Sequence, residues 1–294
     1  MSINWFPGHM AVAVTKAKAA TADNDVIVEV LDARCPMASS NPLVDTLCRH
    51  RQRPCLKVLN KADLADSAAT MAWLAHFNAQ KNVTAIALTC KKPGEAPKVL
   101  AAAKKLAPHR NDRFKPLRMM IMGVPNVGKS TLINALLKRR AAKVGDEPAV
   151  TKVLARYELS PEMSLTDTPG LMWPRIDNEG DGLMLAASHT IGVRAYHETE
   201  AAIYLGDILL ARYPQTLAAR YGLVAYSGND GTSVVEAVAA RRGYRLKGAG
   251  FDFDKAAITL LNDYRSGALG RVSLETPETS PRLTAVPAAD EDKK

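Results

Sequence analysis

Apolar positions in the first 168 residues fall into short, nearly unbroken runs. VIVEVLDAR (26–34), CLKVLNKAD (55–63), VTAIALT (83–89) and LRMMIMG (117–123) each read as a strand buried on both faces, with its polar end in a loop. Helix-like stretches separate them: an alanine-rich one at about 11–22, one before each of the next two runs, then 95–107, and 129–139 after the last. Strands alternating with helices predict a mostly parallel sheet covered on both faces. VLARYEL (153–159) and MSLTD (163–167), joined by Ser160-Pro161-Glu162, predict an adjacent pair, which brings the strands to about six. After about 180 strand-like runs disappear, and patterns rich in Ala, Leu and Arg predict helices to about 268. From 272 the chain is polar and proline-interrupted. The expected organisation is an α/β domain with an N-terminal arm over 1–178, an all-α domain over 179–271 and a disordered tail over 272–294.

Composition adds a partner class. The formal net charge of +9 on 294 residues favours a polyanion, either nucleic acid or an anionic membrane surface, and charge alone does not choose. Cys35, Cys48, Cys55 and Cys90 have none of the paired spacings of a zinc site and are too few for a disulfide framework, so reduced thiols in a cytoplasmic protein are expected. No stretch resembles a signal peptide or approaches the length of a membrane span.

The chemistry sits at strand ends. Gly123-Val124-Pro125-Asn126-Val127-Gly128-Lys129-Ser130 fits G-x-x-x-x-G-K-[ST], with a strand before it and a helix after it. Its backbone N–H groups, from Asn126 to Thr131, are positioned to cradle phosphates at a helix N-terminus; Lys129 supplies charge to the β and γ phosphates and Ser130 a hydroxyl to Mg²⁺. Asn60-Lys61-Ala62-Asp63 ends another strand. Asp63 can accept from N1–H and the 2-amino group of guanine, donors that adenine lacks, so the motif selects GTP. Thr89-Cys90 stands where a Ser-Ala pair usually backs the base, a poor match. Asp167-Thr168-Pro169-Gly170 offers a Mg²⁺-holding aspartate and a glycine that senses the γ-phosphate, and Thr151 is the candidate switch threonine for the same ion.

The order of these motifs is unusual. The guanine-reading element at 60–63 precedes the phosphate loop, and no second N-K-x-D follows residue 170, so the sequence predicts a circularly permuted P-loop G domain followed by a small all-α domain. That order, Trp5-Phe6-Pro7-Gly8-His9-Met10, and Asp32-Ala33-Arg34-Cys35-Pro36 with Ser39-Ser40-Asn41-Pro42 resemble the bacterial ribosome biogenesis GTPase A family over about residues 3–270. The resemblance implies a cytoplasmic GTPase that assists late assembly of the large ribosomal subunit, with the helical domain on ribosomal RNA. Ala149, in place of a glycine usual before the switch threonine, departs from the pattern, as does Thr89-Cys90.

Leu171 occupies the position where many small GTPases carry a water-orienting glutamine. Two substitutes present themselves: His9 in the N-terminal arm as catalytic residue, and K⁺ held in part by Asn126. Arg34 reads more readily as a local salt-bridge element than as an arginine finger. On the partner side, Arg241, Arg242, Tyr244, Arg245 and Lys247 combine phosphate-pairing cations with a stacking ring, and Tyr213 and Tyr221 are interleaved with further arginines upstream. The resulting expectation is a monomer that binds GTP, GDP, the large subunit and its rRNA, and no membrane. A switch acting on a protein effector without RNA contact is the competing reading; a non-catalytic scaffold is disfavoured by the complete set Lys129, Ser130, Thr151 and Asp167.

Overall fold

The computed structural model describes residues 8–110, 112–139, 142, 154–173, 176–192, 196–224, 228–248 and 250–284, with side chains from residue 14 onward. Helix α1 (Gly8–Ala20) leads into β1 (Val26–Asp32); α2 (Pro36–Ser39) and α3 (Pro42–Arg51) lead to β2 (Cys55–Asn60). Then follow α4 (Ser67–Asn78), β3 (Val83–Ala87), α5 (Pro97–Leu106), β4 (Leu117–Met122), α6 (Lys129–Leu137), β5 (Ala155–Ser160) and β6 (Met163–Asp167). The six strands form one sheet in the order β3-β2-β1-β4-β6-β5, parallel except for the β5–β6 pair. The order reverses direction between β1 and β4, and the crevice beyond their C-terminal ends is where open sheets of this kind bind ligands. The permuted order of the motifs therefore leaves a continuous sheet.

Two charges inside the apolar runs have a tertiary purpose. Glu29 of β1 lies in register with Lys57 of β2, both fully buried, and Lys57 Nζ bonds Glu29 Oε2 at 2.6 Å and Asp45 Oδ1 at 3.1 Å. Glu29 also accepts from the N–H of Asn41, so the pair pins the loop after α2 to the sheet centre.

Beyond the sheet come α7 (Glu179–Ala187), α8 (Glu198–Arg212), α9 (Pro214–Tyr221), α10 (Gly231–Arg242) and α11 (Phe253–Ser266), packed mainly around α8. Gly206 of α8 and Gly231 of α10 meet so closely that a Cβ on Gly231 would lie 1.9 Å from the Ile203 carbonyl oxygen. This helical region is the one the sequence predicts.

The expected disordered tail is corrected over 272–284. Val272, Ser273, Leu274, Glu275 and Ser280 are buried, and the segment runs back across the α/β unit before ending in α12 (Pro281–Thr284). The Val272 N–H donates to Leu64 O and that of Leu274 to Arg34 O; Glu275 Oε1 accepts from the N–H groups of Met37 and Ala38. Arg282 bonds Asp181 and the Ser40 carbonyl. A polar, proline-containing sequence hides such a strap because its stability comes from partners supplied by distant loops. Residues 285–294 of the expected tail lie outside the described residues.

Burial pushes the Glu275 carboxyl up to about 7, against the pull of the Ala38 and Met37 N–H groups. A carboxyl whose folded pKa exceeds its unfolded one contributes stability below about pH 4.5 that is lost as pH rises through about 7. Glu275→Gln, which mimics the neutral acid, is expected to remove roughly 1–3 kcal/mol of the stability loss between pH 5 and 8. Urea denaturation of both proteins at the two pH values measures it; parallel pH slopes would exclude the assignment.

Candidate functional site

The phosphate loop spans β4 and α6, and two of its glycines are irreplaceable for steric reasons. Gly128 has φ +102° and a Cβ there would stand 2.2 Å from Asn60 Nδ2; Gly123 has φ +145° and a Cβ would stand 2.4 Å from the Val30 carbonyl oxygen. Lys129 is buried, and its Nζ donates to the carbonyls of Gly123 (2.9 Å) and Val124 (2.8 Å), so the ammonium sits inside the loop. Burial lowers its pKa to about 8, with the nearby Asp167 carboxylate opposing. Ser130 and Thr131 occupy the half-buried first turn of α6, and Val127 is buried.

Asp167, at the end of β6, is the most revealing group. Both of its carboxylate oxygens are buried and meet no donor at hydrogen-bonding geometry, and burial raises its pKa to about 6 although Lys129 pulls the other way. A buried, unpartnered carboxylate beside a phosphate loop and a serine hydroxyl fits a hard, oxygen-seeking divalent cation such as Mg²⁺, which takes one or two carboxylates plus substrate phosphates. Among the described residues no cluster of three or more His, Cys, Asp or Glu offers an alternative metal centre.

Asn60 ties three motifs together. Its Nδ2 donates to the Val127 carbonyl at 2.7 Å and its Oδ1 accepts from the Cys90 N–H at 3.0 Å, so it braces the phosphate loop against the turn after β3. Cys90 contributes its main chain, which explains why an atypical side chain is tolerated there; burial pushes its thiol up to about 12, leaving it neutral. Thr89 is fixed by its N–H to Glu95 Oε2 at 3.0 Å. Lys61 adopts φ +60°, and its Nζ pairs with Asp32 Oδ2 at 2.9 Å.

Asp63 has one oxygen engaged and one not. Its Oδ2 meets Lys91 Nζ at 3.2 Å, whereas its Oδ1 is buried without a partner. Burial raises its pKa, but hydrogen bonds from Thr89 and Lys91 outweigh that and hold the group below its ordinary value. The carboxyl is thus held in its charged form. Sequence reasoning missed Arg271, whose guanidinium reaches the Ala62 carbonyl at 3.2 Å and the Asp63 carbonyl at 3.5 Å, fastening this loop to the C-terminal strap. Nothing local marks that arginine.

Gly170 packs against Pro125 of the phosphate loop, where a Cβ would meet the proline at 3.0 Å. Leu171 is fully buried; its N–H donates to Gly123 O at 3.2 Å and its carbonyl accepts from Asn41 Nδ2 at 2.9 Å. Its side chain shares an apolar cluster with Val14 and Ala17 of α1, which explains why the position is apolar: it docks the N-terminal helix. His9 lies on the first turn of α1, its side chain outside the described residues, as is the whole of Thr151. Asn126, at φ +56°, donates through Nδ2 to the His189 carbonyl at 2.8 Å, linking the phosphate loop to the start of the helical region. Arg34 is a strut: it forks onto Asp32 at 2.9 and 2.8 Å and stacks on the Tyr264 ring at 4.7 Å.

The basic cluster at the end of α10 and just beyond it is only partly free. Arg242 pairs with Asp263 at 3.3 Å, Tyr244 is half-buried beneath Lys255 at 4.4 Å, and Arg245 lies over Phe251 at 5.5 Å. Arg241 and Lys247 are exposed and carry no ion pair among the described residues. Tyr221 is buried with its hydroxyl on Asp263, and Tyr213 donates to Asp66, so neither is the stacking platform that the sequence suggests.

Comparison with known proteins agrees with this geometry. Residues 118–213, from the phosphate-loop strand to the end of α8, match the family described as 50S ribosome-binding GTPase; the guanine-reading loop lies ahead of the match, as permutation requires. The chain is 37% identical to the ribosome biogenesis GTPase A of Bacillus cereus over 285 residues, 95% of each chain. It is 34% identical to the mitochondrial ribosome-associated GTPase 1 of Xenopus tropicalis, covering 92% of this chain and 94% of that one. Among solved structures it resembles GNP-bound YlqF from T. maritima, with a TM-score of 0.61 and 27% identity over 90% of this chain and 99% of that one.

Proposed function

The chain belongs to the ribosome biogenesis GTPase A family and is a GTP hydrolase, and from that premise we propose that it acts on the large ribosomal subunit late in assembly, in the cytoplasm, as a monomer. The observation that carries the nucleotide assignment is a pair of unsatisfied acceptors along one crevice, Asp63 Oδ1 at the base end and the Asp167 carboxylate at the phosphate end. Asn60 and Lys61 hold the loop that presents Asp63, with Thr89-Cys90 behind the base. The loop 126–131 takes the phosphates, Lys129 their charge, and Gly170 lies against that loop. Mg²⁺ would be held by Ser130 and Asp167, with Thr151 closing on it, and would supply charge neutralisation at the β and γ phosphates. Residues 179–271 act as the ribosome-facing unit, and Arg241, Arg242, Tyr244, Arg245 and Lys247 contact rRNA, led by the unpaired Arg241 and Lys247. No helix among the described residues is long and apolar enough to cross a membrane.

Hydrolysis needs a group to orient water, and Leu171 is committed to the core. The backbone favours His9. α1 ends at Ala20 just before the start of β1 and packs through Val14 and Ala17 on the sheet-face cluster of Met120, Met122 and Leu171, so followed backwards it runs from the start of β1 towards the phosphate edge. Five residues further, at ~1.5 Å each, His9 stands roughly 8 Å past Val14 in that direction. The pH range of imidazole suits a water-orienting group. His9→Ala is expected to lower subunit-stimulated turnover by roughly 10²–10⁴-fold with GTP affinity unchanged. Phosphate release with and without isolated large subunits, in K⁺ and again in Na⁺, tests this together with K⁺ assistance at Asn126. Undiminished stimulated turnover in the variant would remove His9, equal rates in the two salts would remove K⁺, and no stimulation of the wild type would remove the ribosome as partner.

A further inference from the structure

The sheet edge opposite the nucleotide crevice carries a feature that GTP chemistry does not use. The turn before β4 reads Asp112-Arg113-Phe114-Lys115, and Asp112 Oδ1 accepts from the N–H groups of Phe114 (2.8 Å) and Lys115 (2.6 Å). That side chain fixes the turn. It leaves Phe114 97% exposed, the barest large apolar side chain among the described residues. Arg113 and Lys115 stand on either side of it in the chain, exposed and without side-chain partners among the described residues.

The same edge is cationic beyond this turn. β2 begins two strands away from β4, roughly 10 Å at ~4.8 Å per step. There Arg49, Arg53 and Lys81 border a cavity of about 950 Å³ at the starts of β2 and β3. Arg49 and Lys81 have no side-chain partner among the described residues, and Arg53 has a buried Nε that bonds nothing. Of the acidic groups nearby, Asp25 pairs with Arg110 and Arg118, Asp45 with Lys57, and Asp112 with its own turn, which leaves Glu162, whose carbonyl accepts from the Leu117 N–H, as the nearby carboxylate with no ion pair among the described residues.

We infer that Arg113-Phe114-Lys115 is a second nucleic-acid contact, in which the Phe114 ring stacks on an unpaired RNA base. Arg113 and Lys115 pair with the flanking phosphates, and the strand continues along the edge towards Arg49 and Lys81. An exposed ring between cations is the pattern that binds single strands without sequence preference. An anionic membrane would be drawn to the same charges, but interfacial anchoring needs an apolar face several side chains wide, and this turn offers one ring. The inference rests on the ribosomal reading above and places a second contact about one sheet length from the nucleotide.

Phe114→Trp turns the site into its own reporter, read as a difference from wild-type fluorescence. A single-stranded adenine-rich RNA decamer is expected to quench the emission of the introduced indole, with an affinity that weakens as salt rises. Phe114→Ala should lose roughly 5- to 100-fold in affinity for the same decamer by anisotropy, with basal GTP turnover unchanged. Unquenched emission, or equal affinity of Phe114→Ala and wild type, overturns the contact. Co-sedimentation of the wild type with large subunits separates the two readings: a protein that pellets yet shows no quenching loses only this site, and one that fails to pellet loses the ribosomal reading. A blue shift with phosphatidylserine vesicles and none with RNA would overturn the assignment in favour of a membrane.

Discussion

Lys129→Ala is expected to lower GTP turnover by roughly 10²–10³-fold, the loss typical of removing one preorganised charge from a transition state. The ammonium is held by two loop carbonyls, at 2.9 and 2.8 Å, in a buried site that costs it proton affinity. Phosphate oxygens bound in the same low-dielectric cradle would offer it full charges, where a cation is worth most. The alanine variant leaves the phosphates without that cation and the Gly123 and Val124 carbonyls without a donor. Lys129→Arg should rescue little, since a planar fork does not fit a site built around a point charge. Single-turnover phosphate release decides the matter, with a thermal melt as control for folding. Turnover within tenfold of wild type would mean that Lys129 does not serve the phosphates.

Asp63→Asn carries the second large effect, a loss of roughly 10²–10³-fold in GTP affinity, from charge-assisted hydrogen bonds worth ~1.5–3 kcal/mol each. The carboxylate presents acceptors only, matched to two donors on guanine; an amide turns one position into a donor that faces another donor. Xanthine has a carbonyl where guanine has its 2-amino group, so the variant should prefer xanthosine triphosphate. Competition between the two nucleotides, measured by fluorescence with and without the substitution, reads the switch directly. If the variant kept its GTP affinity within threefold and gained nothing for xanthine, base recognition would have to lie elsewhere in the crevice.

Contacts radiating from this crevice give a route to the helical region. Asn41 holds the Leu171 carbonyl, the segment before it is gripped by Glu275 and Arg282 of the C-terminal strap, and Arg282 is anchored on Asp181 of α7. Asn126 makes a shorter connection, from the phosphate loop to His189. Any shift of Leu171 on hydrolysis would thus press on elements that hold the helices through charged hydrogen bonds. A transition between two discrete arrangements needs connections of this kind.

The strand and helix pattern, the permuted motif order, the glycine-lysine loop and the aspartate proposed to read guanine were all legible in the chain, because each depends on residues close together in sequence. Periodicity of burial marks a strand, and a glycine-lysine spacing marks a loop that must turn and carry charge. What needed the tertiary structure were the meanings set by distant partners. Asn60 turned out to brace two loops, Arg34 to strut Asp32 against Tyr264, and Leu171 to dock the arm that carries His9. The polar segment after residue 271 looked unable to order because its composition offers little to bury. It orders over 272–284 because Met37 of α2, Ser40, Leu64 and Asp181 of α7 leave donors and acceptors that this strap satisfies. Such complementarity exists only once the chain has folded, and no local pattern encodes it.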